Sequence, residues 1–576
     1  MVGKGEPKIR CMPALTSLNV SRDLAIAPRQ MVAAKHPWAV DAALDVLDRG
    51  GNAVDAAVTA AFSVAVVEPW MSGIGGGGFM TIQMASGEGA VVDYFSRAPR
   101  QARPDMYELT QSFSATGVGF GGVKDEANAY GPLSVATPGM VHGMATALQR
   151  FGTRDLAETL APAIRFAEEG FPIDWYQGML IASELGVIRR DAETSRIFLT
   201  DGIPPAPAFG KPTPKLKQPD LARTLRRIAD NGPDGFYRGE TAERVASHVQ
   251  SLGGILTVED LAEFAATVVE PLVMRYRDAE LVLLPYQSGG TTIGEAFGIL
   301  EGFDLAALGH NSARSLHLII EASRRGTADR LAYLGDPDFV SIDWRRLTSA
   351  AYATERRAEI DCHRASKPGP GARITGDMPA TLATGGNSDE GCTTHLSVVD
   401  AAGNMVSVTQ TLTLIFGSAV TVPGTGVLLN DNMNLFDPRP GFANSVAPRK
   451  RPASSMAHVI AVRDGRPVLA VGAPGGRRIM DTCLQMTLDV LDFELDIQAA
   501  CASPLIDASG PELLVDDRLP RRTRQTLREM GHEVVDATVS FSPRHFASPT
   551  GVMLEPHTGM RLGGADPFGY GVAGGR

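Results

Sequence analysis

Apolar residues recur at helical spacing from Pro37 to Leu47, and Arg49-Gly50-Gly51 ends that run. Asn52 then stands where an N-cap belongs, ahead of an Ala/Val-rich stretch to about Val67 that is apolar nearly all round. The pattern predicts an amphipathic helix followed by a buried one. After Gly73-Ile74-Gly75-Gly76-Gly77-Gly78 the period falls to two, giving a strand from Phe79 to Met84 and a turn at Ser86-Gly87-Glu88-Gly89. A second strand then ends in Asp93-Tyr94-Phe95. A hairpin leaning on a buried helix is expected. From Ala136 to about Ala350 the spacing is mainly helical, punctuated at Thr137-Pro138-Gly139, between Gly202 and Pro214, and at Gly253-Gly254. Residues 381–391 are polar and glycine-rich with no apolar period, which reads as a mobile surface loop. Period-two segments follow at Thr394 to Asp400 and Asn404 to Thr411, joined by Ala401-Ala402-Gly403, and again at His458 to Val462 and Pro467 to Val471. A polar loop thus feeds directly into a core hairpin. No internal repeat of about 20 to 50 residues interrupts this order.

With 576 residues the chain exceeds one ordinary domain and must form several domains or one large layered core. A hydrophobic share of 44% against 21% charged residues excludes a disordered chain. The net charge of -11 argues against a broad basic surface, and so against nucleic acid or anionic lipid as partners. No run approaches the roughly 18 apolar residues of a membrane helix. Lys4, Glu6, Lys8, Arg10, Arg22 and Asp23 interrupt the N-terminal segment, so no signal peptide is read there. The expected compartment is the cytoplasm, or the periplasm where a leader has been removed. Cys11, Cys362, Cys392, Cys483 and Cys501 are odd in number and show no metal-ligand spacing, so free thiols and no metal site are expected.

Gly73, Gly75 and Gly78 fit the G-x-G-x-x-G dinucleotide fingerprint in form, and Asp93 lies at about the distance of its ribose contact. A nucleotide fingerprint follows a strand and opens a helix, whereas here a helix precedes the glycines and an alternating strand follows. Tight backbone packing is the expected reason for them. G-x-S-x-G, H-E-x-x-H and P-loop patterns are missing. The remaining candidate is Cys392-Thr393-Thr394-His395-Leu396-Ser397-Val398-Val399-Asp400, where a polar loop meets a buried strand. Taken alone, two threonines opening a strand are ordinary β-formers.

This segment, with Gly403-Asn404 and Gly417-Ser418 beyond it, resembles the self-cleavage site of the gamma-glutamyltransferase family of N-terminal-nucleophile hydrolases, whose pattern runs T-T-H-x-S-V-V-D, G-N, F-G-[ST]. Other family landmarks stand in the same order along nearly the whole chain. They include Gly50 to Ala56, Glu68-Pro69 with Ser72 to Phe79, Asp234-Gly235-Phe236-Tyr237, Ala328-Asp329-Arg330 and Gly335-Asp336-Pro337. Pro423-Gly424, Gly426 to Asn430, Arg451-Pro452, Ser454-Ser455-Met456 and Pro474-Gly475-Gly476 continue the series.

The resemblance implies an α+β fold, a four-layer αββα sandwich formed jointly by a large subunit, residues 1–392, and a small one, 393–576. Cleavage between Cys392 and Thr393 would free the α-amine of Thr393, which then serves as the base for its own hydroxyl. Thr411 is implied to hydrogen-bond that nucleophile, the N–H groups of Gly475 and Gly476 to form the oxyanion hole, and Ser454 and Ser455 to contact a substrate carboxylate. No metal or organic cofactor is required. The implied partners are a small-molecule amide and the two subunits themselves, with further pairing of heterodimers left open.

The sequence departs from the family where the amino-acid end of a gamma-glutamyl group is gripped. Phe95 stands in place of the carboxylate-binding Arg, Leu435 in place of the ammonium-binding Asp, and Thr413 replaces an Asn of the pocket that Asn432 helps to form. Arg97, two positions beyond Phe95 on the same strand face, offers a substitute guanidinium. Only 17 residues separate Phe436 from Ser454, which suggests a shortened lid loop. The expected activity is hydrolysis of a small-acid amide, with oxamate-type or glutaryl-type donors as candidates. The competing expectations are a true gamma-glutamyltransferase or glutathione hydrolase and a catalytically inactive binding homologue.

Overall fold

The computed structural model describes residues 20–113, 121–371, 392–541 and 544–576; the loop expected at 381–391 and Cys11 lie outside these residues. Both early helices form where the apolar spacing places them, at Pro37–Asp48 and Ala53–Val67. The second begins in a reciprocal cap: the Asn52 side chain accepts from the amides of Val54 and Asp55, while Asp55 accepts from the Asn52 amide at 2.7 Å. All fifteen of its residues are buried, as an apolar surface all round requires. Asp400, at the end of a distant strand, accepts from the Ala53 amide at 2.9 Å, which places a carboxylate on the positive end of this helix.

Two seven-stranded sheets hold the centre among the described residues. One runs Val572–Gly575, Met31–Ala34, Cys392–Val399, Met405–Thr413, Gly77–Gln83, Gly89–Asp93, Thr267–Val269. The other runs Ala25–Ala27, Arg561–Ala565, Thr550–Leu554, Arg466–Gly472, Val459–Arg463, Ala279–Leu283, Leu272–Tyr276. The alternation of each strand assigns its faces. Leu396, Val398, Val406 and Val408 pack with the Ala53–Val67 helix and its neighbours, whereas Met31, Ala33, Val399 and Met405 meet Val282, Ile460, Ala470 and Val552 of the facing sheet. Leu281, Leu283, Val459, Ala461, Leu469 and Val471 turn the other way, onto helices that include Gly289–Leu300, Ala313–Tyr333 and Ile479–Leu491. The order of layers is therefore helices, sheet, sheet, helices.

The region expected to be mainly helical also supplies three strands of the two sheets, Thr267–Val269 and Leu272–Tyr276 at edges and Ala279–Leu283 next to an edge. They are three to five residues long, so their alternation ends before a period can be read. The glycine run packs as expected. A Cβ on Gly76 would lie 2.3 Å from the Thr411 carbonyl oxygen, and one on Gly78 would lie 2.3 Å from that of Thr409, so only glycine lets these strands close. Cys362, Cys392, Cys483 and Cys501 are free thiols.

Candidate active site

The strand Cys392–Val399 turns Thr393, His395 and Ser397 toward the facing sheet, and its neighbour Met405–Thr413 turns Ser407, Thr409 and Thr411 the same way. Pairing slips by one residue between Cys392 and Thr394, because Cys392 pairs with Thr413 but Thr394 with Gln410. Such a slip re-aims a side chain, and here it brings two hydroxyls onto one carbonyl. Thr393 Oγ1 lies 2.6 Å from the Cys392 carbonyl oxygen and 3.2 Å from Thr411 Oγ1. Thr411 donates its own hydroxyl to that same carbonyl. The Thr413 amide donates to Thr411 Oγ1 at 2.8 Å and so leaves the Thr411 proton for the carbonyl. Thr413 holds this position at a φ of 96°, a costly value for a β-branched residue, with its hydroxyl donated to Asn432 Oδ1. Asn432 in turn donates to Ser96 Oγ at 2.7 Å.

Thr393 is 5% exposed and lies between two cavities. The first, about 570 Å³ with its open mouth, is lined by Phe95, Thr411, Thr413, Leu414, Asn434, Leu435, Ser454, Ser455, Met456, Gly476, Arg477 and Ile479. The second, about 500 Å³, holds Lys35, Glu68, Tyr176, Gly475, Arg478, Arg544 and Tyr570 among its walls. Glu68 accepts from Thr394 Oγ1 at 2.9 Å, and Lys35 donates to the Ser548 carbonyl at 2.7 Å. Burial raises the Glu68 carboxyl to about 7 and lowers the Lys35 ammonium to about 7, beside Thr393. Gly475 and Gly476 run between the two cavities at φ 146° and 60°. A Cβ on Gly475 would lie 2.6 Å from Ala547 Cα.

Behind Thr393 a polar chain joins the sheets. His395 Nε2 lies 3.0 Å from Ser397 Oγ, and its Nδ1 lies 2.8 Å from Thr409 Oγ1. Thr409 lies 2.9 Å from His458 Nδ1, whose Nε2 is 2.7 Å from Thr81 Oγ1. Burial lowers the His395 pKa well below its usual value and that of His458 to about 3, so both rings are neutral.

The structure thus brings Thr393, Thr411, Thr413, Gly475, Gly476, Ser454, Ser455, Phe95 and Leu435 around one cavity system, with Asn432 directly behind Thr413. Arg97 is placed elsewhere: its guanidinium donates to the Ala265 carbonyl at 3.2 Å and lies over the Phe264 ring. Glu68, Lys35, Arg477, Arg478 and Arg544 line the cavities without having been singled out as site residues in the sequence. For Lys35 the available signal was a lysine closing the apolar run Met31 to Ala34. Among the described residues one group, His317, Glu321 and His532, has the makings of a cation site. Its carboxylate is already engaged by Arg325 at 2.7 Å and the Ser366 amide at 2.9 Å.

Comparison with known proteins places this geometry in a family. Residues 39–575 match the family described as gamma-glutamyltranspeptidase. The acylase ACY 1 proenzyme of Pseudomonas sp. (strain SE83) is 36% identical over 569 residues, covering 98% of this chain and 97% of that protein. The glutathione hydrolase proenzyme of Escherichia coli (strain K12) is 35% identical over 555 residues, covering 94% and 90%. Among solved structures, cephalosporin acylase from Bacillus halodurans superposes with a TM-score of 0.85 at 28% identity, with 99% of each chain covered. With the match spanning nearly its whole length, the chain belongs to the gamma-glutamyltranspeptidase family.

Proposed function

We propose that this protein is a proenzyme that cuts itself between Cys392 and Thr393 and then hydrolyses an amide of a small acid through an ester on Thr393. The observation that carries the reading is the convergence of the Thr393 and Thr411 hydroxyls on the Cys392 carbonyl. Two of the relatives named above are themselves called proenzymes.

In self-cleavage Thr393 Oγ attacks the Cys392 carbonyl carbon while Thr411 donates to the oxygen that gains charge. The C–N bond breaks, the Thr393 nitrogen takes the proton, and Cys392 is left as an ester on Thr393 Oγ. Water hydrolyses that ester, giving a Cys392 carboxylate and a free Thr393 amine. An α-amine titrates at about 7.7 to 8.0 in peptides, so near neutral pH it takes the hydroxyl proton and returns it to a leaving group. In turnover the same hydroxyl attacks a substrate amide, Gly475 and Gly476 offer their amides to the oxyanion, the amine product departs, and water or an acceptor amine releases the acyl group.

Phe95 and Leu435 line the cleft where the family motif carries its charged amino-acid contacts, which disfavours a zwitterionic donor such as a gamma-glutamyl group. Intact-mass analysis of the purified protein tests the reading. Two fragments joining at 392/393 are expected from the natural sequence and one uncut chain from Thr393→Ala. A natural sequence that stays in one piece would end the proposal.

A further inference from the structure

We propose that the acyl cleft beside Thr393 takes the uncharged, apolar end of an acyl chain, so that the substrates are amides of monocarboxylic acids with an aliphatic or aryl body. This rests on the reading of Thr393 as the acylated nucleophile. It departs from the dicarboxylate donors that the loss of a charged pair first suggested.

The wall of the cleft is apolar where a distal charge would have to sit. Phe95 is 1% exposed and stacks on Phe79 at 5.2 Å with an interplanar angle of 18°. Both rings belong to a cluster with Val91, Leu284 and Met456, and Leu435 packs against it. Leu414 and Ile479 close other parts of the same cleft. Only one of the residues lining it, Arg477, carries a formal charge, and its Nη1 lies 3.5 Å from the buried Asp507 carboxylate. The guanidinium also packs on the backbone of Gly510, where an added Cβ would lie 2.7 Å from Nη2, so it is held from behind by the protein's own groups. Of the cations near this strand, Arg97 is directed to Ala265 and Phe264, and Arg451 is paired with Asp93 at 3.0 Å and Asp336 at 2.7 Å. A carboxylate or ammonium brought against Phe95 and Leu435 would lose its water without gaining a charged partner there, only neutral groups such as Ser454 and Ser455 lining the same cleft, whereas methylenes or a ring would gain burial.

The test compares p-nitroanilides of pentanoic, glutaric and gamma-glutamic acid, which share a five-carbon acyl chain and a leaving group and differ in the charges at the far end. An acetyl-to-hexanoyl series is run beside them on the self-cleaved protein. The expected kcat/KM rises roughly fourfold per added methylene from acetyl to hexanoyl. Pentanoyl should exceed glutaryl and gamma-glutamyl by at least about tenfold. In Phe95→Arg the pentanoyl-to-glutaryl ratio should fall by about tenfold or more, and a ratio does not depend on how much of the variant is folded. Glutaryl or gamma-glutamyl turnover equal to or above pentanoyl, or a flat alkyl series, overturns this inference and leaves the nucleophile standing. Hydrolysis of the series by Thr393→Ala overturns both, and no hydrolysis of it by the cleaved protein overturns this inference alone.

Discussion

The Thr411 hydroxyl works between a donor and an acceptor: it accepts from the Thr413 amide and gives its proton to the Cys392 carbonyl, whose C–N bond is the one proposed to break. Thr411→Val keeps the shape and removes that donor. Self-cleavage should slow by about 10²- to 10³-fold, followed as disappearance of the precursor on denaturing gels, and an unchanged rate would exclude the assigned role. In the proposed cleaved form the Thr393 amine would sit at a residue that is 5% exposed, and burial disfavours its charged form. Turnover should therefore rise with pH through an apparent pKa at or below the ordinary 7.7 to 8.0 and be lost on the acid side, where the amine is protonated. Thr393, Thr411, Phe95 and Leu435 could be read from the chain because each stands at a motif position. Glu68 also stands at a motif position but carried no sign of its place beside Thr393, and for Lys35 nothing in the sequence announces that Ser548, 513 residues away, accepts from it.

The hairpin formed by Cys392–Val399 and Met405–Thr413 is the element on which the proposed chemistry rests, and its neighbours are fitted to it at backbone contact. Gly76→Ala would drive a methyl to 2.3 Å from the Thr411 carbonyl, so the strands must part. The expected result is a loss of about 1 to 3 kcal/mol in unfolding free energy together with slowed self-cleavage, measured by denaturant titration and gel. Both properties unchanged would mean that the contact is not as close as described. The histidine chain between the sheets has a definite pH signature. His458 titrates near 3 when folded and near 6.5 when unfolded, so below pH 6.5 the unfolded chain binds a proton that the folded chain refuses. Its contribution is complete above about pH 6.5 and is lost as the pH falls toward 3. His458→Gln should weaken the decline in stability between pH 6.5 and 4.5 by about 1.4 kcal/mol per pH unit, judged against the natural sequence because buried carboxyls titrate in the same range. Identical pH dependence in the two proteins would remove this role. Long helices and the central hairpin were legible because their period repeats several times. Ala279–Leu283 and Leu272–Tyr276 were not, since five residues with one alternating face carry too little pattern.

Across the whole molecule the two sides of the 392/393 bond are interleaved. Met31–Ala34 lies between Val572–Gly575 and Cys392–Val399, while Met405–Thr413 pairs with Gly77–Gln83. In the other sheet Ala25–Ala27 pairs with Arg561–Ala565, and Ala279–Leu283 with Val459–Arg463. Cutting one peptide bond leaves these ladders and the core between the sheets intact. The fragments should co-elute in native gel filtration and separate only in denaturant, whereas spontaneous separation in buffer would contradict the shared sheets. This joint construction was legible only through family resemblance, because strand order depends on partners hundreds of residues apart. The two substitutions behind the proposed acyl preference were legible in the sequence, but the surroundings of Phe95 and Arg97 were not, since only the folded chain shows Phe95 stacked on Phe79 and Arg97 turned away.

The most direct test of the central claim is to quench the cleaved protein during turnover of an acyl p-nitroanilide and map the acyl group by peptide mass spectrometry. The acyl mass should be found as an ester on the peptide that begins Thr393-Thr394-His395. An acyl group found on any other residue, or full turnover by a protein lacking the Thr393 hydroxyl, would contradict the account.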